Sequence, residues 1–324
     1  MRTSTVLDVP AGRTTSDFEA DVLVVARRDE AAGVVGVELA LPSGGALPAW
    51  TPGAHIDVEL PRGLTRQYSL CGDPADTGRW RIGVLREADG RGGSRWIADA
   101  LTAGSTLRVR GPRNNFPLQP ADRYVFVAGG IGITPLLPMI RAVDAAGADW
   151  VLHYGGRTRA SMAFLSELSR FGARVRVYPQ DEVGLLDLEA VLDGPADLVY
   201  CCGPTGLIEA LEARCPAGTL RVERFTAAPV PADGPDSAFE VVCERSGVTV
   251  TVPSGTTVLA AVEDAGIGVL SSCAEGICGT CETTVLEGEP DHRDSLLTED
   301  EKAAGDTMLI CVSRCRGARL VLDL

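Results

Sequence analysis

The sequence predicts three successive folding units: an antiparallel β-barrel, a doubly wound α/β unit, and an α+β unit with one helix packed across a mixed sheet. Three patterns in the 324 residues support this. Short β-rich runs separated by Gly and Pro come first, strands then alternate with helical patterns, and a mixed arrangement follows a Pro-, Gly- and Ala-rich stretch at 227–237. We interpret that stretch as a linker. The expected domain bounds are 17–121, 122–228 and 237–324.

The first unit consists of β-rich runs bounded by turn signals. These runs span residues 19–42, 54–61, 65–72, 79–87 and 105–112. Strands at this spacing, with Gly and Pro between them, indicate a small antiparallel barrel. Residues 1–16 are expected to form a loose tail.

Two polar stretches of this unit are candidate ligand contacts. The run RQYS at 66–69 interleaves a cation, an aromatic ring and a hydroxyl, so alternate side chains of a strand can face one ligand. The run GRGGS at 90–94 opens a helix predicted at 94–104, and a Gly-rich turn at a helix N-terminus presents free amides to a phosphate. Each stretch also fits an ordinary exposed strand or an ordinary helix cap.

The second unit begins with the apolar run YVFVAGG at 124–130, which is typical of a buried parallel strand. Further strands are predicted at 150–156, 174–179 and 197–203, and helices at 131–147, 162–172, 186–194 and 204–215. This alternation predicts a parallel sheet that binds ligands at the carboxyl ends of its strands. The loop GGIGITP at 129–135 occupies a pyrophosphate-binding position, although Pro135 replaces the last Gly of GxGxxG. A tight strand-to-helix turn is the alternative.

Four cysteines of the third unit follow a C-x4-C-x2-C…C pattern, which is the plant-type ligand spacing for a two-iron, two-sulfur cluster. The predicted ligands are Cys273, Cys278, Cys281 and Cys311. Structural zinc usually takes two well-separated pairs of ligands, so a triplet with one remote Cys fits zinc poorly.

Other residues bear on how this cluster would be held. Gly276 and Gly279 fit a loop that needs positive φ and backbone amides directed at the sulfurs. Cys315 competes with Cys311 as fourth ligand, but Cys311 ends the apolar run MLIC, from which a strand can deliver it. Around the loop we expect a hairpin turning at 246–247, a helix stopped by Gly266, and strands at 281–289, 308–313 and 318–324.

Composition and charge exclude several classes of partner. The net charge is −14, and residues 236–324 carry 16 acidic and 6 basic side chains, a balance of −10. Such a segment does not favour nucleic acid or an anionic membrane. An acidic surface beside a redox centre suits docking on a basic protein, or it is a solvated face that aids solubility.

Targeting signals and disulfide patterns are both lacking. The N-terminus has no apolar signal segment, and the longest uncharged run, 124–140, is too short and interrupted to span a bilayer. The six cysteines outside the predicted cluster show no paired framework, so we expect a soluble, cytoplasmic protein. Of the three histidines, His55, His153 and His292, the first two are expected to be structural, and a Rieske cluster, which needs two His beside two Cys, has no support.

Together these motifs resemble the phthalate dioxygenase reductase family, which includes the vanillate demethylase reductases. The matching segments run in consistent order from about residue 50 to the C-terminus: RQYSLCGDP, GRGGSRWI, GPRNNFPL, AGGIGITPLLPM, YCCGP, ERF, CAEGICGTCETTVLEGEPDHRDSLLTEDE and CVSR. The resemblance implies an FMN-binding barrel, an NAD-binding domain and a plant-type ferredoxin domain of the β-grasp type.

The resemblance also implies roles for individual residues. The implied catalytic contacts are Ser69, Thr134, Cys202 and Phe225, the last closing over the flavin unless it is simply a core Phe. The implied cofactor contacts are Arg66, Gln67, Tyr68, Ser69, Gly92, Gly93, Ser94, Gly130, Gly132, Thr134, Arg157, Cys202, Gly203, Pro204 and Phe225. NADH is the implied donor, although Arg157 and Arg159 would also suit the 2′-phosphate of NADPH.

The implied function is an NADH-dependent reductase that passes electrons through FMN and a 2Fe–2S cluster to a partner oxygenase docked at the acidic ferredoxin domain. The partner is expected to be a Rieske-type aromatic oxygenase or O-demethylase, with a cytochrome P450 as the alternative. A flavin or ferric reductase, a ferredoxin-like binding module and a cluster-based sensor remain open. We expect a monomer.

Overall fold

The computed structural model describes residues 14–16, 18–228 and 236–324. Most of the predicted tail and of the predicted linker lies outside these ranges. The chain divides into two compact units, Met1–Glu223 and Arg224–Leu324, and each is described by itself. No helix in the described ranges is long and apolar enough to cross a membrane.

The first unit begins with a seven-stranded antiparallel sheet in the order β5-β4-β7-β2-β3-β6, with β1 paired to β7. Its elements are β1 Thr14–Thr15, β2 Glu19–Ala31, β3 Val34–Ala40, β4 His55–Leu60, β5 Leu64–Ser69, β6 Trp80–Leu85, α1 Gly93–Ala100 and β7 Thr106–Asn114, with a 3-10 turn at Pro61–Gly63. A bridge between Leu70 and Ile82 joins the two edges of the sheet. The sheet therefore closes into the predicted barrel around a core that includes Trp80 and Ile56.

The same unit continues into a five-stranded parallel sheet in the order β10-β9-β8-β11-β12. Its elements are β8 Arg123–Gly129, α2 Ile133–Ala145, β9 Asp149–Gly156, α3 Leu165–Leu168, β10 Val175–Pro179, α4 Gln180–Val183, α5 Leu188–Leu192, β11 Leu198–Cys202, α6 Thr205–Glu212 and β12 Leu220–Glu223, with 3-10 segments at Gly130–Gly132, Arg159–Ser161 and Ser169–Arg174. The strand order reverses between β8 and β11, and a crevice at such a point binds ligands in open α/β sheets.

Two parts of this sheet differ from the sequence prediction. The helix predicted at 162–172 is only Leu165–Leu168, because Phe164 before it has φ 61° and Gly172 inside the following 3-10 segment has φ 57°. Both values are incompatible with a continuous right-handed helix. Strand β12 was not predicted at all, although it pairs with β11 along its whole length.

The second unit has a mixed sheet in the order β14-β13-β19-β15-β17 and a small β16-β18 pair. Its elements are β13 Phe239–Cys243, β14 Val248–Val252, α7 Val258–Asp264, β15 Glu282–Glu287, β16 Pro290–Asp291, α8 Glu299–Ala304, β17 Thr307–Leu309, β18 Arg314–Cys315 and β19 Arg319–Leu322. Helix α7 starts at the cap Thr257, whose side chain accepts from Ala260 N–H, and buries Val258 and Val262 against the sheet. A sheet with a helix packed across it is confirmed, and the hairpin turns where predicted, with Gly247 at φ 67°.

Candidate functional site

The first part of the site is a close approach of two loops at the carboxyl edge of the parallel sheet. A Cβ added to Gly132 would lie 2.1 Å from the carbonyl oxygen of Cys202, and one added to Gly129 would lie 2.5 Å from Cδ of Pro204. Gly203 likewise lies against the backbone of Gly129. The first turn of α2 has no side-chain cap, so its amides suit a pyrophosphate. The glycines here therefore allow backbone to meet backbone.

Thr134 lies where the parallel sheet meets the barrel. It is 1% exposed, and its hydroxyl donates to the carbonyl of Ile131 over 2.9 Å. Its methyl group faces Gly83 of β6, where an added Cβ would be 2.8 Å from Thr134 Cγ2. Gly130, one turn earlier, has φ 54° and open space around it. The loop is thus tightly packed at Thr134 and open at Gly130.

Three polar side chains from three strand ends meet beside this loop. Ser69, at the end of β5, donates to Oε2 of Glu223 over 3.3 Å. Glu223, at the end of β12, stands in register with Cys202 of β11. Burial raises the pKa of Glu223 to about 8, so this carboxyl holds a proton at neutral pH. Burial, and then the neighbouring Glu223, raise the pKa of the Cys202 thiol.

Sequence reasoning missed Glu223. It belongs to the ERF segment that supported the family resemblance, but only Phe225 of that segment was assigned a role. The missed signal is the alternation in LRVE at 220–223, which places a charged residue at the end of a strand. Phe225 itself is 41% exposed at the start of the second unit, and its role over the flavin stays a prediction.

A second group of residues suits a terminal phosphate. Helix α1 begins after Gly92, which has φ 94° and offers no side-chain cap. The side chain of Arg66 lies beside the first turn, because a Cβ added to Gly93 would be 3.2 Å from Arg66 Cγ. Ser94 Oγ accepts from Glu87 N–H over 3.2 Å, which ties the turn to the preceding loop. A guanidinium and an uncapped helix N-terminus together favour a phosphate anion.

Gln67 and Tyr68, which follow Arg66 in the run RQYS, have different surroundings. Gln67 donates to Asp57 over 2.7 Å, and Asp57 is paired with the buried Arg113 over 2.6 Å. Tyr68 packs against the barrel core, and burial raises its pKa above the ordinary value. Arg66 thus faces the phosphate-binding turn, while the Gln67 side chain is bonded to a buried acid.

The four predicted cluster ligands come together in the second unit, and each is at most 4% exposed. The thiol of Cys273 is within hydrogen-bonding reach of both Cys278 and Cys311, and the thiol of Cys281 is within reach of Cys311. Within the described ranges no three His, Cys, Asp or Glu side chains converge on one ion position. Four thiols gathered from one loop and one distant segment match the ligand set of a plant-type two-iron, two-sulfur cluster.

The backbone around these thiols also fits a cluster. Gly276 and Gly279 have φ 70° and 75°, which confirms the expected positive values. Glu275 N–H donates to Cys273 Sγ over 3.3 Å, and Gly276 N–H donates to Cys311 Sγ. Such amides stabilise charge on cluster sulfurs. A side chain at Gly276 would collide with Val312, since an added Cβ lies 2.6 Å from Val312 Cγ2.

Cys315 is engaged elsewhere. It lies on β18, where its sulfur accepts from Gly317 N–H over 3.3 Å and lies 3.5 Å from the carbonyl of Arg319. Cys311 instead lies in the turn directly after β17. None of the ten cysteines of the chain is joined in a disulfide.

Two of the three histidines, His55 and His153, are buried. Burial lowers the pKa of His55 to about 4 and that of His153 to about 4, so both are neutral at pH 7. His153 also stacks on Tyr178 and lies 3.1 Å from its hydroxyl. Burial lowers the pKa of His292 as well. These environments fit structural roles.

The family model that matches the chain is the 2Fe-2S iron-sulfur cluster binding domain, over residues 241–316. Phenoxybenzoate dioxygenase subunit beta of Ectopseudomonas oleovorans is 45% identical over 295 residues, covering 89% of this chain and 92% of that protein.

Two solved structures extend the likeness to the whole chain. Phthalate dioxygenase reductase, described as a modular structure for electron transfer from pyridine nucleotides to 2Fe–2S, superposes with a TM-score of 0.69 at 36% identity and covers 95% of this chain and 98% of its own. An intact type IV self-sufficient cytochrome P450 monooxygenase has a TM-score of 0.88 and 48% identity over 94% of this chain. This chain spans only 41% of that longer protein.

Proposed function

The chain belongs to the phthalate dioxygenase reductase family of oxidoreductases, and from that premise we propose that it is the reductase component of an oxygenase system. It takes electrons from NADH and passes them through FMN and a 2Fe–2S cluster to an oxygenase. The predicted family, fold class and cofactor set are confirmed. When bound, the flavin takes up a hydride and gives electrons to the cluster one at a time.

The observation that carries the proposal is the contact between Ser69 and Glu223 beside Cys202. It joins the barrel, which would hold the flavin, to the end of the parallel sheet, which would hold the nicotinamide. Thr134, buried between barrel and sheet, would orient the nicotinamide. Glu223 would hold a proton where the flavin and the nicotinamide meet. Ser69 would position that carboxyl group through their hydrogen bond.

The remaining site residues have binding roles in this proposal. Arg66 and the α1 N-terminus, with Gly92, Gly93 and Ser94, would hold the FMN phosphate. Cys273, Cys278, Cys281 and Cys311 would ligate the cluster. The domain bounds 17–121, 122–228 and 237–324 are part of the same proposal.

The oxygenase is proposed to dock on the ferredoxin segment of a monomeric reductase. Charge supports this, because the balance over residues 236–324 is −10 and attracts a basic surface. Electron transfer to the partner should slow as ionic strength rises. Stopped-flow rates that stay equal between low and high salt would contradict this docking mode. A cytoplasmic location is also proposed, since no disulfide joins any of the ten cysteines.

A cytochrome P450 is a second candidate acceptor. The specific support is the 48% identity to the matching part of a self-sufficient P450 monooxygenase. The two candidates can be separated by measuring the rate of electron transfer from the reductase to a Rieske-type oxygenase and to a P450. For the true partner, this rate should saturate as the concentration of the acceptor increases.

Anaerobic purification tests the core of the proposal. We expect a coloured protein that releases fluorescent flavin on heating and shows a paramagnetic signal after reduction by NADH. A colourless protein with neither signal would end the proposal.

A further inference from the structure

An exposed ion pair lies at the carboxyl edge of the parallel sheet, away from the point where strand order reverses. Arg159, in the 3-10 turn after β9, donates to Glu182 of α4, just after β10, with distances of 2.6 and 3.0 Å. The guanidinium is thus bound in two-pronged fashion by one carboxylate. Arg157, the other candidate for a 2′-phosphate, is exposed two residues before Arg159.

This edge is where the adenosine half of a dinucleotide is expected. The nicotinamide end belongs near Thr134 and Cys202, and the glycine loop before α2 suits the pyrophosphate. The other half of the molecule then runs across the end of the neighbouring strand, β9. In such sheets an acidic residue beside the adenosine ribose favours the free ribose of NAD, whereas an Arg there favours the 2′-phosphate of NADP.

We propose that Glu182 makes this reductase selective for NADH over NADPH, because it occupies Arg159 and presents a carboxylate where a 2′-phosphate would bind. This inference rests on the proposed function and names the donor specificity of the same site. Sequence reasoning left NADPH open on account of Arg157 and Arg159. Because Arg159 is paired with Glu182, its guanidinium is not available to bind a 2′-phosphate.

The loop around Glu182 is held in place over the end of β9. Asp181 N–H donates to the carbonyl of Arg157 over 3.2 Å, which joins the two loops. Leu186 packs over Gly155, where an added Cβ would lie 2.8 Å from Leu186 Cδ1. Asp181 adds a second carboxylate at the same place, so two carboxylates offset the positive charges of Arg157 and Arg159 that would otherwise attract a dianionic phosphate.

The same loop offers an apolar surface that suits an adenine ring. Val183 is 59% exposed and Leu185 is 80% exposed, so both present apolar surface to the solvent. Both follow Glu182 closely in the chain, so a base resting on them would bring its ribose close to the ion pair.

Loss of this pair should not unfold the protein. Both side chains are about half exposed, at 54% and 44%, and exposed ion pairs contribute little to stability. The hydrogen bond from Arg159 lowers the pKa of Glu182, so the carboxylate is charged throughout the neutral range. A change of cofactor preference in a variant can therefore be attributed to the charge removed.

The test compares Glu182→Gln, Arg159→Gln and the double variant as full-length holoenzymes. We expect Glu182→Gln to raise kcat/KM for NADPH about tenfold or more with little change for NADH, since one repelling charge is removed and Arg159 is released. The double variant should lose this gain. Binding of adenosine 2′,5′-bisphosphate, measured by calorimetry, should tighten in parallel, while binding of 5′-AMP should not.

Asp197→Asn is the matched control. Asp197 pairs with Arg123 over 2.9 Å at a similar exposure, but at the amino ends of the strands. It should leave the NADPH to NADH ratio unchanged. Three outcomes would overturn the inference. The first is a ratio of kcat/KM for NADPH to that for NADH in Glu182→Gln that stays within about twofold of the wild type. The others are a gain that persists in the double variant and a wild-type preference for NADPH. In the first two outcomes the proposed function would still be supported, provided that NADH reduces the flavin of the wild-type protein.

Discussion

The nicotinamide side of the first unit and the cluster loop of the second unit are built by different means. At the nicotinamide side, strand ends that are distant in sequence bring Ser69, Cys202 and Glu223 together, and glycines let the loops touch. At the cluster loop, three of four thiols lie within nine residues, 273–281. The first site depends on long-range packing, whereas the second depends mainly on local spacing and one returning strand.

This difference decides how each site should respond to a substitution. A thiol is either present as a ligand or absent, so its loss should abolish the cluster outright. Positioning by packing degrades in steps, because neighbouring backbone can shift. Four substitutions test this contrast, ordered by the size of the expected effect.

Cys311→Ala should have the largest effect. The cluster absorbance and the paramagnetic signal should vanish, and electron transfer to the oxygenase should fall to background, while NADH still reduces the flavin. Cys315→Ala is the control, because this buried thiol lies four residues away and bonds to Gly317 instead. Retention of the cluster in Cys311→Ala, or its loss in Cys315→Ala, would reassign the fourth ligand.

Gly132→Ala should act on the other site alone. Its Cβ would lie 2.1 Å from the Cys202 carbonyl oxygen, so the two loops must separate. We expect kcat/KM for NADH to drop on the order of 100-fold, as displacement of a bound reactant by about 1 Å can cause, with an unchanged cluster spectrum. Gly206→Ala is the control, since open space surrounds that glycine. Normal kinetics in Gly132→Ala would show that the close approach is dispensable.

Glu223→Gln should change pH dependence. The pKa of Glu223 rises from 4.5 to about 8 on folding. Between those values the unfolded chain has lost the proton that the folded chain keeps, so rising pH destabilises the wild type by at most about 1.4 kcal/mol per pH unit. Glu223→Gln should therefore gain thermal stability relative to wild type as pH rises from 5 to about 8. The rate of flavin reduction should also lose its pH dependence near 8.

Glu209→Gln on the exposed face of α6 provides the comparison. It should follow the wild type in both measurements. If the melting temperatures of Glu223→Gln and wild type differ by the same amount at pH 5 and pH 8, Glu223 does not hold a proton in the folded state.

These two sites also show what a sequence can reveal. The ligand spacing of the cysteines is visible in the chain itself, and so are the strands of the barrel, since their alternation and turns are local. Glu223 escaped notice because its importance arises from the pairing of β12 with β11 and from burial, neither of which a short segment displays. The pairing of Arg159 with Glu182, 23 residues apart, was hidden for the same reason.

Thr280→Val should have the smallest effect of the four substitutions. Within the cluster loop, it contrasts the loss of a hydrogen bond to a ligand with the loss of a ligand in Cys311→Ala. The Thr280 hydroxyl lies 3.2 Å from Cys278 Sγ, and a ligating thiolate can only accept, so the hydroxyl donates. A hydrogen bond to a cluster sulfur stabilises the more negative, reduced state. Its loss should shift the reduction potential slightly downwards, with kcat/KM for NADH to flavin unchanged. Thr284→Val, on the exposed side of β15, should shift nothing. An upward shift in Thr280→Val would mean that this hydroxyl does not point to the sulfur, and the loop would then rely on its backbone amides alone.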